Sequence, residues 1–261
     1  MHRLTSHAEL LDRSGDDPWV RFALDPRLPG EAWVHDGVAL IERPGRHRRG
    51  LWVAPLRPGM PPPASADELA SEGARVRAAL RALDGGHLER LDLAAVSVPQ
   101  EHADVAHAEL ELGEGGDWDW MWTTTVPPKP TVAVVELDDA ADAEEISAFT
   151  HAHNPRVWTE VGTGLVHHWL GVRDDGRLVA VGGAETEASG IPHLAGIVTD
   201  SARRGEGLAT AVSAHLTRWA LAGHGACTLG MFSDNAAARR VYHRLGYRTA
   251  RAWHSRQLVR P

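Results

Sequence analysis

The sequence predicts an α/β fold with a mixed β-sheet covered by helices, and three observations in its second half indicate it. Two apolar stretches, residues 165–173 and 177–185, flank an Asp-Asp-Gly sequence at 174–176, a strong β-hairpin signal. Residues 207–222 repeat apolar side chains at helical spacing. Strand-like and helical stretches alternate in the order β-α-loop-β-β-β-α-β-α-β, which implies a sheet with both parallel and antiparallel neighbours.

The other elements of this half follow from local signals. β-branched residues favour strands, acidic residues favour the first turn of a helix, and glycine favours the end of a helix. These signals predict a strand at 131–137, an acidic helix from Asp138 to about Phe149, strands at 191–199 and 226–232, a helix from Asn235 to Leu245 before Gly246, and one or two strands at 247–259.

A proline-rich stretch at residues 123–130 predicts a domain boundary, because its three prolines fit neither a helix interior nor a central strand. We therefore expect a smaller α/β accessory domain at 1–127 and a second domain at 128–261. The first predicted domain contains strands within 30–44 and 47–56, a helix that begins with the Ser65–Glu68 capping box and ends at Gly85–Gly86, and strands at 91–98 and 117–123.

Composition narrows the function classes. The formal net charge of −8 argues against non-specific nucleic-acid binding, which needs basic residues to neutralise phosphates. No apolar run approaches the length of a membrane helix, and the N-terminus has no apolar stretch typical of a secretory signal. Cys227, the only cysteine, lies in an apolar stretch and is expected in the core. We expect a cytoplasmic protein with no nucleic-acid or membrane partner.

The stretch IVTDSARRGEGLAT, residues 197–210, is typical of a phosphate-binding strand-to-helix turn. The unpaired N–H groups and positive dipole end of a helix start favour a diphosphate, and glycine lets phosphate oxygens approach the amides. Arg203 and Arg204 add positive charge. A P-loop would need Gly-Lys-Ser/Thr here, and a dinucleotide fingerprint would need a third small residue, so both fit poorly.

Two motifs resemble the GNAT superfamily of acyl-CoA N-acyltransferases over residues 131–250. Residues 204–209 match Arg/Gln-x-x-Gly-x-Gly/Ala at the strand-to-helix turn. Residues 234–248 match Asn-x-x-Ala-x-x-x-Tyr-x-x-x-Gly-Phe/Tyr, with the register positions Asn235, Ala238, Tyr242, Gly246 and Tyr247. The resemblance implies a GNAT-like fold, acetyl-CoA as co-substrate and no metal.

The resemblance also implies which residues bind the coenzyme. The backbone of residues 197–199 would receive the pantetheine arm, with one N–H facing the thioester oxygen, and Asn235 would lie near the coenzyme while capping its helix. Glu206 departs from the basic or neutral residue common in relatives and is expected to point to solvent. The implied cofactor-binding set is Ile197, Val198, Thr199, Arg203, Arg204, Gly205, Glu206, Gly207, Leu208, Ala209, Asn235, Ala238 and Tyr242.

The resemblance implies two catalytic residues. Tyr242 would protonate the leaving thiolate. His193, eleven residues before Arg204 at a place where some relatives carry a glutamate, would take the proton of the amine, with Glu185 as the next candidate. The expected activity is direct transfer of acetyl from acetyl-CoA to a primary amine of a small metabolite in a ternary complex. We expect the acceptor between residues 150–164, the 185–193 turn and the 118–122 strand.

Other interpretations are left open by the sequence. The protein could be a non-catalytic acyl-CoA sensor with residues 1–127 as its output surface, or a nucleotide-binding module that uses the same helix start. Residues 1–127 could be a degenerate copy of the second domain, as in tandem members of the superfamily. A homodimer is also left open.

Overall fold

The computed structural model describes residues 1–43, 49–58, 63, 65–83 and 90–259. These residues group into two compact units, each treated by itself below. Unit 1 comprises residues 1–119, 232–234 and 250–261, and unit 2 comprises residues 120–231 and 235–249.

The first part of the chain alternates short helices and strands. In chain order the elements are β1 (His2–Arg3), α1 (His7–Arg13), α2 (Pro18–Ala23), β2 (Ala32–His35), β3 (Val38–Arg43), β4 (Arg49–Pro55), α3 (Ala66–Ala82), β5 (Leu93–Pro99), α4 (Ala103–Glu109) and β6 (Leu112–Thr123).

The second part of the chain follows the order predicted from the sequence. Its elements are β7 (Val135–Leu137), α5 (Ala143–His153), β8 (His168–Asp174), β9 (Arg177–Thr186), β10 (Pro192–Thr199), α6 (Leu208–His224), β11 (Cys227–Phe232), α7 (Ala236–Arg244) and β12 (Arg248–Leu258).

Unit 2 is built on a mixed sheet, as predicted. Strands β7, β8, β9 and β10 pair with antiparallel neighbours, and α6 carries the chain from β10 to β11, which pairs with β10 in parallel. One face packs against α6, whose Val212 and Leu216 are fully buried, and the other against α5, whose Ile146 is fully buried. The two apolar faces explain why both helices form where the sequence places its apolar spacing.

The parallel pairing of β10 and β11 is short. It consists of His193↔Thr228 and Leu194↔Leu229 among the described residues, whereas β10 stays paired with β9 as far as Thr199. The register with β9 shifts between Ala195 and Val198, so β10 has one extra residue there. Such a bulge bends the strand and increases its twist. Beyond Leu194, β10 and β11 are not paired among the described residues, and we call the region between these unpaired parts of the two strands the slot.

Gly196 makes the bulge possible. Its φ of +62° lies in the left-handed region, and a β-carbon would come within 2.9 Å of the Trp169 ring. Both the backbone conformation and the close approach of the indole exclude larger residues.

Unit 1 repeats this strand arrangement. Strands β1 to β4 are antiparallel neighbours, α3 links β4 to the parallel strand β5, and β5 pairs antiparallel with β12. Because β12 pairs with β5, residues 250–261 belong to unit 1, and residues 120–123 of β6 belong to unit 2. The two compact units therefore do not coincide with the segments 1–127 and 128–261. The division of the chain into two domains at residue 127 stays a prediction.

Several local predictions differ from the structure. The helix predicted from Asp138 begins at Ala143, because the Asp138 carboxylate accepts hydrogen bonds from the Ala140 and Ala141 amides and forms a turn first. The strand predicted at 131–137 is limited to β7. Helices α1, α2 and α4 were missed. The predicted turn around 44–48 and the Gly85–Gly86 helix stop lie outside the described residues.

In the described part of the chain, no helix combines the length and apolar character needed to cross a membrane.

We predict that Gly196→Ala destabilises the protein by about 2 kcal/mol or more, because it adds left-handed strain and overlap with Trp169. Gly190→Ala is the matched control, since Gly190 has φ of +90° but open space around its β-carbon position. Urea unfolding of both variants measures the difference. Equal losses in the two variants would show that the contact with Trp169 does not constrain the bulge.

Candidate functional site

The slot between β10 and β11 leads to the turn that joins β10 to α6. Asp200 begins this turn, and its carboxylate accepts a hydrogen bond from the Ala202 amide at 2.9 Å. The chain then passes through Gly205 and Gly207 before α6 starts at Leu208. The turn motif therefore follows directly on residues 197–199, the end of β10 that is paired with β9 but not with β11.

The start of α6 is open to an anion. Gly207 is its N-cap, with φ of +83°, and no side chain accepts a hydrogen bond from the first turn. Gly205 has φ of +89°, and no heavy atom lies within 4 Å of the β-carbon position of either glycine. A helix of this length offers unpaired amides and a positive dipole end at its start. Unpaired amides and a positive dipole end are the groups that a diphosphate ligand would need.

Arg203 does not contribute a free charge to the turn. Its guanidinium donates to Glu206 at 2.8 and 2.9 Å and to Asp174 at 2.6 Å. The hydrogen bonds with Glu206 and Asp174 raise the pKa of Arg203 above its usual value. Glu206 is exposed to solvent, as expected, and it also pairs with Arg203 three residues away.

Arg204 is exposed and fixed at one point. One of its nitrogens donates to the backbone oxygen of His153 at 2.8 Å. The His153 ring accepts a hydrogen bond from the Ser201 amide at 3.1 Å. The end of α5 therefore holds the turn in place, while Arg204 supplies the positive charge beside the glycines.

The second motif lies on α7. Asn235 caps this helix, as predicted, by accepting a hydrogen bond from the Ala238 amide at 3.0 Å. Ala238 packs against the same core as α6. The motif thus fixes the start and the buried face of α7.

Tyr242 is buried on α7, within the core cluster that also contains Leu229 and Met121. Burial raises the pKa of its phenol above the ordinary value of 10.0, so Tyr242 keeps its proton at neutral pH. The other tyrosine, Tyr247, shares a hydrogen bond with the Thr217 hydroxyl at 2.8 Å. Tyr242 can act as an acid only on an atom that reaches its hydroxyl, and its catalytic role stays a prediction.

His193 belongs to a compact polar cluster at the closed end of the slot. Its Nδ1 lies 2.9 Å from a Glu187 carboxylate oxygen and 2.9 Å from the Thr228 hydroxyl. The same carboxylate oxygen accepts from the Trp120 indole at 2.9 Å and from Thr228 at 3.3 Å. About a fifth of the His193 and Glu187 side chains is exposed. Glu185 lies opposite His193 on β9.

The neighbouring groups determine the protonation states of His193 and Glu187. Burial alone would lower the pKa of His193, but the charge and hydrogen bond of Glu187, with Glu185, raise it above 6.5. Burial alone would raise the pKa of Glu187, but His193, Trp120 and Thr228 lower it below 4.5. The pair is therefore an ionised carboxylate beside a histidine that binds its proton more tightly than usual.

The segments expected around the acceptor contain His153, Glu187 and Trp120, but none of these three was predicted individually as a site residue, and Thr228 was missed altogether. Glu187 lies two residues after the candidate Glu185 in the β9–β10 connection, so strand alternation from Glu185 was a usable signal. Trp120 and Thr228 meet Glu187 only through the three-dimensional arrangement.

The equivalent place in unit 1 is filled by aromatic side chains. Pairing of β4 with β5 ends at Trp52↔Ser97. There the Trp52 ring lies 4.6 Å from that of Trp253 and 5.4 Å from that of Trp19, between ring centroids. The candidate site is therefore the one in unit 2.

One side-chain cluster has the spacing of metal ligands. Glu72, Glu101 and His102, in unit 1, bring one ligand atom each within 4.8 Å of the others. Arg57 donates hydrogen bonds to both carboxylates, and burial opposed by the Arg57 and His102 hydrogen bonds leaves the pKa of Glu72 at about 2. The guanidinium already supplies the cation that these carboxylates require.

Residues 132–247 match the family described as Acetyltransferase (GNAT) family. A GCN5-related N-acetyltransferase from Kribbella flavida is 18% identical, over 89% of this chain and 90% of that chain, with a TM-score of 0.52. An acetyltransferase from the GNAT family from Colwellia psychrerythraea is 12% identical over 98% of each chain, with a TM-score of 0.53. At these identities the similarity shows the fold alone. No curated protein matches the chain.

We predict that the interaction free energy between Glu187 and His193, measured as their contribution to folding stability, depends on pH. His193, whose pKa is raised, contributes stability that is complete below pH 6.5 and is lost as pH rises through its folded-state pKa. Glu187, whose pKa is lowered, contributes stability that is present above pH 4.5 and is lost as pH falls through its folded-state pKa.

The coupling is therefore largest between pH 4.5 and 6.5. A double-mutant cycle with Glu187→Gln and His193→Gln, followed by urea unfolding, should give about 0.5–3 kcal/mol in this window and less at pH 9. A coupling that grows toward pH 9 would contradict the assigned charges.

Proposed function

Because residues 132–247 belong to the GNAT superfamily of acyltransferases, we propose that this protein transfers the acetyl group of acetyl-CoA to a primary amine of a small metabolite. The amine attacks the thioester directly in a ternary complex. The acceptor is a small molecule, no nucleic acid or membrane takes part, and the protein acts in the cytoplasm, as a monomer or a homodimer.

The end of the pairing between β10 and β11 carries this proposal. Pairing stops at Leu194↔Leu229, so the β10 backbone from Ala195 to Thr199 offers N–H and C=O groups along the slot. An extended arm with amides of its own, as in pantetheine, can form the hydrogen bonds that β11 does not. One N–H of residues 197–199 would face the thioester oxygen, where negative charge develops during attack.

The turn at the open end supports a diphosphate ligand. Its binding groups are the amides from Gly205 to Ala209 and the exposed Arg204. Arg203 and Glu206 shape the turn, because Arg203 is held by Glu206 and by Asp174 and is not free for a ligand. In this proposal Asn235 and Ala238 set the start of α7 beside the coenzyme.

The chemistry assigns one proton to each of two side chains. His193 takes the proton of the acceptor amine, the amine nitrogen forms a bond with the thioester carbon, and the carbon–sulfur bond breaks. Tyr242 gives its proton to the leaving sulfur. Orientation of the two substrates can supply roughly 7–11 kcal/mol of the barrier reduction.

A non-catalytic acyl-CoA sensor is the second candidate, and the burial of Tyr242 in the core favours it. The same slot and turn would then bind the coenzyme without turnover.

The direct test is CoA release from acetyl-CoA across a panel of primary amines, followed with a thiol reagent. The protein adds little background, because Cys227 is buried and burial raises its pKa to about 12. Release that requires both protein and a particular amine supports the enzyme. Coenzyme binding without release across the panel supports the sensor.

We predict that Gly207→Glu weakens acetyl-CoA binding about 100-fold or more, because a carboxylate would lie at the start of α6 beside the diphosphate. Gly190→Glu is the matched control, since Gly190 also has positive φ and open surroundings but lies in the β9–β10 connection. Calorimetric titration with acetyl-CoA, and with ATP as the competing ligand class, measures both dissociation constants. An unchanged dissociation constant in Gly207→Glu would contradict the assigned diphosphate site.

We predict that Tyr242→Phe lowers kcat by about 100-fold or more and leaves the dissociation constant of acetyl-CoA unchanged, because only the proton donor is lost. Tyr247→Phe is the control. It loses the contact with Thr217 and about 1 kcal/mol of stability, with kcat retained. Steady-state kinetics and calorimetry separate these effects. Full kcat in Tyr242→Phe would remove Tyr242 from the mechanism.

A further inference from the structure

The Glu187 carboxylate determines which nitrogen of His193 carries a proton. An ionised carboxylate only accepts hydrogen bonds, and one oxygen of Glu187 already receives the Trp120 indole N–H. The His193 Nδ1, 2.9 Å from the same oxygen, must therefore be the donor. In neutral His193 the lone pair is then on Nε2. The ring also cannot rotate freely, because Nδ1 contacts Thr228 as well.

The tautomer of His193 matters for the slot because of where this residue lies. His193 and Thr228 form the first of the two residue pairs that join β10 to β11, at the closed end of the slot. Leu194, the next residue, points to the core that α6 covers, so His193 projects from the opposite face of the sheet. The charged groups that act on His193 are Glu187 and Glu185.

We propose that Glu187 is a positioning residue: its partly buried carboxylate holds His193 as the Nδ1–H tautomer, so that Nε2 accepts the proton of the acceptor amine. This inference rests on the proposed acetyl transfer. The proton moves from the amine nitrogen to Nε2 as the nitrogen–carbon bond forms, while Nδ1 keeps its proton and its hydrogen bond to Glu187. A carboxylate that orients a histidine in this way also stabilises the cation that forms.

The pair has a consequence for the pH dependence. His193 accepts a proton only when it is neutral, and Glu187, with Glu185, favours the charged form. The value of kcat/KM should therefore rise with pH, and the midpoint of this rising limb should lie above the ordinary pKa range of histidine. Removal of the Glu187 charge should move the limb to lower pH.

The test measures kcat, KM and kcat/KM against pH for the wild type, Glu187→Gln, Glu187→Asp, Glu185→Gln and Glu144→Gln. Glu144 is an exposed carboxylate in the first turn of α5 and serves as the charge-matched control. For Glu187→Gln we expect a limb at lower pH and a loss of about 10–100-fold in kcat on the high-pH plateau, the size found for partners that orient metal-bound histidines, with KM for acetyl-CoA unchanged. Glu187→Asp should keep the limb near that of the wild type with a lower plateau, and Glu144→Gln should match the wild type.

An NMR titration of the His193 ring, assigned by comparison with His193→Gln, gives a readout that does not depend on turnover. A lower His193 pKa in Glu187→Gln, together with the shifted limb, supports the inference. An unmoved limb and an unmoved His193 pKa, in a protein that still acetylates an amine, would overturn the role of Glu187 and leave the proposed function intact. Loss of the limb in Glu185→Gln would assign the base to Glu185 and overturn it too. A wild type without turnover would instead overturn the proposed function.

Discussion

The site depends on a shift in the pairing register between strands β10 and β9. β10 carries an extra residue relative to β9 at Gly196, and the resulting bulge limits its pairing with β11 to two residue pairs. Backbone groups that lose a strand partner need another one, because unpaired polar groups are costly in a protein interior. The slot is therefore a consequence of sheet geometry, and the left-handed backbone of Gly196 against Trp169 keeps it in place.

The charged side chains around the slot already have partners of opposite charge. Arg203 is bound to two carboxylates, Glu206 and Asp174, and His193 is paired with Glu187. The groups left for an anionic ligand are backbone amides at the start of α6 and the exposed Arg204. If the proposed coenzyme binds here, amides fixed by the fold need little reorganisation to receive its diphosphate, so the proposal gives the glycines more weight than the number of arginines.

The sequence predicted the features that depend on near neighbours in the chain. The hairpin at 174–176, the glycine turn before α6 and the Asn235 cap all rest on interactions within a few residues. The features it missed depend on distant contacts: Glu187 acquires its role through Trp120, 67 residues away, and residues 250–258 join unit 1 because β12 pairs with β5. Helix α5 starts later than predicted for a local reason. The Asp138 carboxylate accepts a hydrogen bond from the Ala141 amide, and the Asp142 carboxylate accepts one from the Asp138 amide. A turn therefore forms where acidic residues usually indicate the first turn of a helix.

Hydrogen exchange of the backbone amides, with and without acetyl-CoA, addresses the slot most directly. If the pantetheine arm binds along β10 and the diphosphate binds at the start of α6, amides of residues 195–199 and 205–210 should exchange more slowly with the coenzyme bound. The strands of unit 1 should be unaffected. Protection at the start of α6 without any in β10 would contradict the slot, and saturating coenzyme without protection in either segment would contradict the account as a whole.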